Sequence, residues 1–411
     1  MIALRQLDLF DHVLDVYAAA GGPVSNAALY QAVAGRAGLD RTEFERKEAI
    51  GRAGEQHSPL KRRVRWWQQS LRQLGLLERK ADERGVWSIT PKGKRKLTPA
   101  AAGRVLLGFS TDLGVALWAS SNSVFASLDE PIALCLSSPP YPLACPRAYG
   151  NPAAAEYVDW LCGLMEPIVK HLVPGGSICL NISQDIHEPG SPARSLYVER
   201  LVIALHDRLG LHLMDRLIWR SNKAPGPVRW ASISRQQLNV AYEPVFWFTN
   251  DPKLCRSDNR RVLQAHSERH LALIRRGGEQ RTSEYGDGAY RLRHGSYGNE
   301  TPGRILRNVI DVSNRCPERD RTRRQALAQG LPAHGATMPV KLAELLIEFL
   351  TEQGDLVVDG CGGWVTTGRA AENLGRRWLV TELMGEHVLG GALRFQDEPG
   401  FELYGSLQQA A

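Results

Sequence analysis

Ser138-Pro139-Pro140-Tyr141 is the stretch of this 411-residue chain best suited to chemistry on a planar amine. Its two prolines remove two backbone N–H donors and stiffen the loop, which leaves carbonyl oxygens as acceptors for an exocyclic amino group. Tyr141 adds an aromatic face on which an extruded base can stack. A second group lies far downstream, where Asp359 is followed by Gly360, Gly362 and Gly363, and Glu382 stands beyond the next helix. Glycines let a backbone approach a ligand closely, and an acid ending the neighbouring strand can accept both ribose hydroxyl protons. Each group alone also fits a plain turn, since proline pairs occur in surface loops and glycine turns serve purely structural βαβ units. Finding both at strand ends favours a ligand site.

The elements that must position these residues alternate in the manner of an open α/β sheet. Ile132-Ala133-Leu134-Cys135-Leu136 is a short apolar strand running into the proline loop. A helix around 153–172 follows, then strand 177–182, a helix over 198–209 and strands near 213–220 and 245–248. The pattern resumes with a helix over 339–350, a buried strand at Leu356-Val357-Val358, a helix over 366–374 and a strand at 378–381 ending on Glu382. Five stretches result: 1–104, 105–250, 251–330, 331–396 and a tail, 397–411. In the first, Leu7, Phe10, Val13, Leu14 and Tyr17 recur at helical spacing and Ser25 can cap a second helix through Leu29 and Val33. Pro59 opens a third helix with Val64, Trp67, Leu71 and Leu74 on one face, and a strand at 86–90 leads into Pro91-Lys92-Gly93-Lys94-Arg95-Lys96. Helix, helix, basic helix and basic ribbon resemble a winged helix.

Charge separates these stretches further. Residues 61–104 hold 13 Lys and Arg against 3 Asp and Glu, and 256–324 hold 16 against 9, every one of the 16 being arginine. With a whole-chain net charge of +7, the remainder is acidic. Two basic segments on an acidic body suit a polyanion, because cations that neutralise phosphates release condensed counterions. Lys61, Arg62, Arg65, Lys92 and Lys94 in the first segment, and Arg275, Arg276, Arg291 and Arg293 in the second, are the expected DNA contacts. Arginine's planar fork can bond guanine bidentately, so the second segment is expected to read bases and the first to hold phosphates. Seven scattered cysteines without a C-x-x-C pair read as reduced thiols, and no metal site is expected. No apolar run approaches a membrane span, and charges at Arg5 and Asp8 interrupt any signal core, so a cytoplasmic protein with no membrane partner is expected.

The proline loop resembles that of the amino-methylating DNA methyltransferases, which reads [Asp/Asn/Ser/Thr]-Pro-Pro-[Tyr/Phe/Trp]. The resemblance extends to His334-Gly335-Ala336-Thr337-Met338-Pro339, to Val357-Val358-Asp359, to 366–378 and Glu382, and to Ala241-Tyr242-Glu243-Pro244-Val245-Phe246-Trp247-Phe248. The loop precedes the glycine turn by 221 residues, from Ser138 to Asp359, with the arginine-rich stretch between. That order resembles the circularly permuted beta group. The resemblance implies a Rossmann-like, S-adenosylmethionine-dependent methyltransferase sheet in two halves, 105–250 and 331–396. It also implies a target recognition insert at 251–330, behind an N-terminal winged helix. It further implies that Ser138, Pro139, Pro140 and Tyr141 hold a base flipped out of duplex DNA. Asp359, Gly360, Cys361, Gly362 and Gly363, with Thr366, Thr367 and Pro339, would hold the cofactor, and Glu382 its ribose. Serine at the head of the loop is more usual for cytosine-N4 than for adenine-N6 methylation. Both stay open, as does a silent DNA-binding protein of the same fold. Cys361 stands where relatives have Phe, Val365 where they have Gly, and Ser120-Ser121-Asn122 where many have Gly-Asp. The resemblance leaves room for a homodimer and for a cognate restriction endonuclease as further partners.

Overall fold

A computed structural model describes the chain outside residues 1–12, 14–15, 18–19, 21, 37–38, 51–54, 74–75, 81–82, 91–96, 144–146, 148, 223–225, 336 and 406–411. Near the N-terminus come β1 (Val24–Ser25), α1 (Asn26–Arg36), α2 (Arg41–Glu45), β2 (Glu48–Ile50), β3 (Glu55–His57), α3 (Pro59–Gln73), β4 (Leu77–Arg79) and β5 (Val86–Ile89). Ser25 Oγ accepts the Ala28 N–H at the start of α1, as its position before an apolar helix predicts. Helix α3 buries Val64, Trp67 and Leu71 against Tyr17, Leu29, Val33 and Trp87. Its Arg62, Arg65 and Arg72 are exposed. Strands β1, β5 and β4 form a small sheet behind the helices. The polar stretch between the second and third expected helices folds into α2 and the β2–β3 hairpin, whose polar faces carry no apolar periodicity to announce them.

The rest of the chain is built on one ten-stranded sheet. Its elements are β6 (Val105–Ser110), β7 (Gly114–Ala119), α4 (Ser121–Phe125), β8 (Ile132–Ser137), α5 (Tyr157–Lys170), β9 (Leu172–Asn181), α6 (Tyr197–Leu209), β10 (His212–Arg220) and β11 (Tyr242–Thr249). There follow α7 (Glu268–Arg275), β12 (Ser283–Tyr285), β13 (Tyr290–Leu292), β14 (Val309–Asp311), α8 (Pro317–Ala328), α9 (Val340–Leu350), β15 (Leu356–Asp359), α10 (Thr366–Asn373), β16 (Arg377–Glu382), α11 (Gly385–Ala392) and β17 (Glu402–Leu403). The strand order is β14-β10-β11-β9-β8-β15-β16-β7-β6-β17. Side chains alternate between the faces as a pleated strand requires. Leu134, Leu136 and Val357 pack towards α9 and α10, whereas Cys135 and Val358 pack towards α5 and α6. The interior strands are therefore apolar on both sides, which accounts for the continuous runs seen in the sequence.

Strands β8 and β15 are parallel neighbours although their residues are far apart in the chain. From β8 the chain proceeds to β9 on one side, and from β15 to β16 on the other, both in parallel. The strand order thus reverses between β8 and β15, and the carboxyl ends on either side of such a reversal open a crevice.

The stretch 251–330 is less of a separate insert than its composition predicts. Arg256 pairs with Asp355, Arg261 with Glu352, and the Asp258 N–H with the Phe349 carbonyl, so the first part lies on α9 and the loop after it. At the other end β14 joins the large sheet beside β10, and α8 is fastened by Glu318 to Arg394. What stands apart is a lobe over 265–303 carrying α7 and the β12–β13 hairpin. Its neck is the mutual backbone pair of Gln264 and Arg304, at 3.0 and 2.8 Å. Residues 98–100 likewise belong with the large sheet: the Ala100 N–H donates to the Leu383 carbonyl, and Thr98 donates its N–H and hydroxyl to the Glu386 carboxylate. Among the described residues no helix is long and apolar enough to cross a membrane.

Candidate active site

A cavity of about 750 Å³ opens at the carboxyl ends of β8 and β15. Ser138, Pro139, Pro140 and Tyr141 line it, as do Asp359, Gly360, Cys361, Gly362, Gly363, Thr366, Thr367 and Glu382. The two distant motifs meet there, joined directly by the Ser137 hydroxyl donating to Asp359 Oδ1 at 2.7 Å. Pro339 is not brought in. Its fixed φ instead opens α9, and the chain presents Thr337 and Met338 to the cavity in its place. Among the expected DNA contacts, Lys61 is held by Glu45 and Arg291 by Glu284, and Arg275 lies 3.9 Å from Glu268. Arg62, Arg65, Arg276 and Arg293 are exposed. Lys92 and Lys94 lie outside the described residues.

On the loop side, a compact network sets the geometry. The Ser138 hydroxyl lies 2.9 Å from the Tyr141 hydroxyl, and both reach Asn181 Oδ1, at 3.3 and 3.1 Å. Asn181 ends β9 and donates to the Pro244 carbonyl, which ties the loop to β11. Asn151 holds the Tyr141 carbonyl at 2.7 Å. Burial first, and the Glu243 carboxylate second, push the Tyr141 phenol well above its ordinary range, so it stays protonated and acts as a donor. Asn181, Asn151 and Glu243 went unread as site residues in the sequence. The one signal was a polar residue, Asn181, closing an otherwise apolar strand.

On the turn side, Asp359 is held by its own neighbours. Oδ1 accepts from Ser137 and the Cys361 N–H, and Oδ2 from Thr367. Burial outweighs these bonds and raises its pKa to about 6. Glu382 accepts the N–H groups of Gly363 and Met384 and faces His387 Nδ1 at 3.4 Å. Burial pushes its carboxyl up, but the His387 bond and charge and the Met384 N–H outweigh it and hold it below the usual range. His334 stacks on Tyr149 and meets His387 edge to face, with ring centroids 4.6 Å apart in the second pair. Desolvation, then the neighbouring His387, lowers the His334 pKa to about 3. The glycines are required sterically. A Cβ at Gly360 would stand 2.6 Å from Ser121 Oγ, and one at Gly362 would stand 2.1 Å from Val380 Cγ1. Val365, where a glycine was expected, adopts φ 53, a conformation a β-branched side chain resists.

The cavity also carries groups with bonds still to make. Among the described residues, Ser121 Oγ and Thr337 Oγ1 are buried on its wall without a hydrogen-bond partner, which is costly unless a ligand supplies one. The stretch 120–122 therefore lines the same cavity despite its departure from the family pattern. Glu156, Glu243, Asp359 and Glu382 against Arg147 give the wall an acidic balance suited to a cationic ligand.

A family model described as DNA methylase matches residues 132–390. The chain belongs to the DNA methylase family. A second model, the Mrr N-terminal domain, matches residues 8–98. The Type II methyltransferase M.PvuII of Proteus hauseri is 34% identical over 276 residues, 66% of this chain and 79% of that protein. M.BglII of Bacillus subtilis, also a Type II methyltransferase, is 23% identical over 63% of this chain and 62% of its own length. Among solved structures, the PvuII DNA methyltransferase (cytosine-N4-specific) superposes with a TM-score of 0.56 at 28% identity, covering 73% of this chain and 92% of that one. The family match spans both cavity walls and encloses the lobe between them.

Proposed function

We propose that this DNA methylase transfers a methyl group from S-adenosylmethionine to the N4 amine of cytosine at a short sequence in duplex DNA. The observation that carries the reading is Ser138. A hydroxyl, not a carboxylate, heads the loop that shares its cavity with the glycine turn, in a chain 34% identical to M.PvuII. The acidic wall and the orphaned Ser121 and Thr337 hydroxyls fit a cationic amino-acid nucleoside. The 359–363 turn, Thr366 and Thr367 would hold its methionine end, and Glu382 its ribose. When bound, the cofactor supplies an electrophilic methyl on sulfonium.

The chain's own groups act on the base. Ser138 Oγ can donate to Asn181 while accepting one amine proton, and the Pro139 carbonyl can accept the other. Two acceptors fix the amine plane and localise its lone pair for in-line attack. Tyr141, kept protonated, holds Ser138 in place and offers its ring to the flipped base. No covalent intermediate is needed.

The proposal extends to the division of labour. Residues 1–104 supply phosphate contacts, 105–250 the base site, 331–396 the cofactor site, and the 251–330 stretch, chiefly its 265–303 lobe, base readout. It places the protein in the cytoplasm, with a cognate endonuclease and a second copy as the partners to look for by co-purification and light scattering. Nucleoside mass spectrometry of DNA from expressing cells tests the core reading. N4-methylcytosine is expected, N6-methyladenine would move the chemistry to adenine, and neither would leave a silent DNA-binding protein.

A further inference from the structure

Residues 226–240, in the stretch between β10 and β11, are used by nothing described above. The chain makes a wide helical turn over Val228–Ile233 and closes on itself where the Val240 N–H donates to the Gly226 carbonyl at 2.7 Å. Three apolar side chains on it face solvent: Val228 is 61% exposed, Ile233 74% and Leu238 89%. The same stretch carries Arg229 and Arg235 and no acidic residue. Arg235 sits at φ 59, a strained conformation for a non-glycine residue and one that tends to mark functional loops.

The loop's position is specific. It connects two strands at the sheet edge where Asn181 and the Ser138–Tyr141 loop meet. It is fastened by Gln237, which pairs with His187 at 3.0 Å and donates to the Pro192 carbonyl. Trp230 lies against His187 and beneath the Arg229 guanidinium. The segment holding His187 leaves the cavity wall at Ser183, and Glu243, just after the loop, lines that wall. The loop therefore stands beside the mouth of the base cavity, tied down at Gln237 and with apolar side chains turned to solvent.

Exposed apolar side chains among cations fit a duplex that is losing a base. Extruding a nucleotide leaves a hole bounded by the apolar faces of the neighbouring pairs, and inserted aliphatic side chains can cover such faces. The cations suit the flanking phosphates. We infer that this loop is the wedge that enters the duplex as the target base leaves it, with Leu238 filling the gap and Ile233 supporting it. The inference rests on the cavity being the site of a flipped DNA base.

The test uses the full chain, S-adenosylmethionine with a labelled methyl group, and two duplexes bearing the methylated sequence mapped in DNA from expressing cells. In the second duplex the base opposite the target is removed, so the target is already unpaired. Leu238→Ala with Ile233→Ala changes only exposed side chains, so the melting temperature should stay at the wild-type value. On the paired duplex the variant should lose about tenfold or more in methyl transfer, and on the unpaired duplex it should return to within about twofold of wild type. Equal losses on both duplexes, or none on the paired one, would overturn the wedge. So would a change in oligomeric state, which would mark the patch as a contact between copies. Wild-type protein inactive on both duplexes would remove the base-site reading, and the wedge with it.

Discussion

Asp359 carries its proton to an unusually high pH because burial dominates the three hydrogen bonds it accepts. Between its ordinary value of 3.8 and about 6, the folded form keeps a proton that the unfolded chain has released. Its contribution to stability is therefore greatest at the acid end of that window and falls as pH rises through 6. Binding of a cationic cofactor should run the other way, tightening as the carboxylate forms. Calorimetric titration with S-adenosylmethionine from pH 5 to 8 should show a rise in affinity centred near pH 6, and Asp359→Asn should abolish that step. Tyr141→Phe removes the bonds to Ser138 and Asn181 and should cost transfer at least about tenfold, since one such bond alone is worth that much. Tyr141→Ala also removes a stacking face worth about 1 to 3 kcal/mol and should cost more. Cofactor affinity, measured alongside, should change little in either variant. These residues were legible in the sequence because each motif is a short contiguous run at a strand end. Glu243 and His387 were not, because each enters the cavity singly from its own element, and Asn181 was not, because it acts from behind the loop through its bonds to Ser138 and Tyr141.

At the scale of elements, the glycine turn is held from several sides at once. Gly363 takes φ 53 and donates to Glu382, and an added Cβ would meet the His334 ring at 3.0 Å. Gly363→Ala should lower stability by about 1 to 3 kcal/mol, read as a fall in melting temperature, and weaken cofactor binding more than DNA binding. Cofactor affinity at the wild-type level would mean that the turn contributes shape alone. The α/β elements were readable from their apolar runs to within a few residues. Helix α5, for example, begins at Tyr157 and not near 153, because Ala153-Ala154-Ala155-Glu156, good helix formers by propensity, lead into it as a turn. Hairpin β6–β7 was harder, since β7 is an inner strand whose pairing with β16 joins residues more than 250 apart. No local pattern encodes such a partner.

For the whole molecule, the basic segments should separate affinity from specificity. Removing the N-terminal region should weaken DNA binding and flatten its salt dependence without changing the methylated sequence. The cut should fall before Thr98, because residues 98–100 brace the segment Leu383–Glu386 beside the cavity. Replacing Arg276 and Arg293 together in the lobe should instead change or erase the methylated sequence, as sequencing of modified DNA would show. A truncated enzyme that modifies a different sequence would move recognition to the N-terminal region. The arginine count alone pointed to the lobe but overstated its extent, since Arg256 and Arg261 spend their charge on Asp355 and Glu352. The neck at Gln264 and Arg304 carries its own implication. Two hydrogen bonds between adjacent backbones form one seam, and neither sheet nor cavity depends on what hangs beyond it. The lobe is in that sense a cassette. A segment from another methylase, joined at these two residues, could give the same catalytic body a different target, so new specificities could arise by exchange without rebuilding the active site.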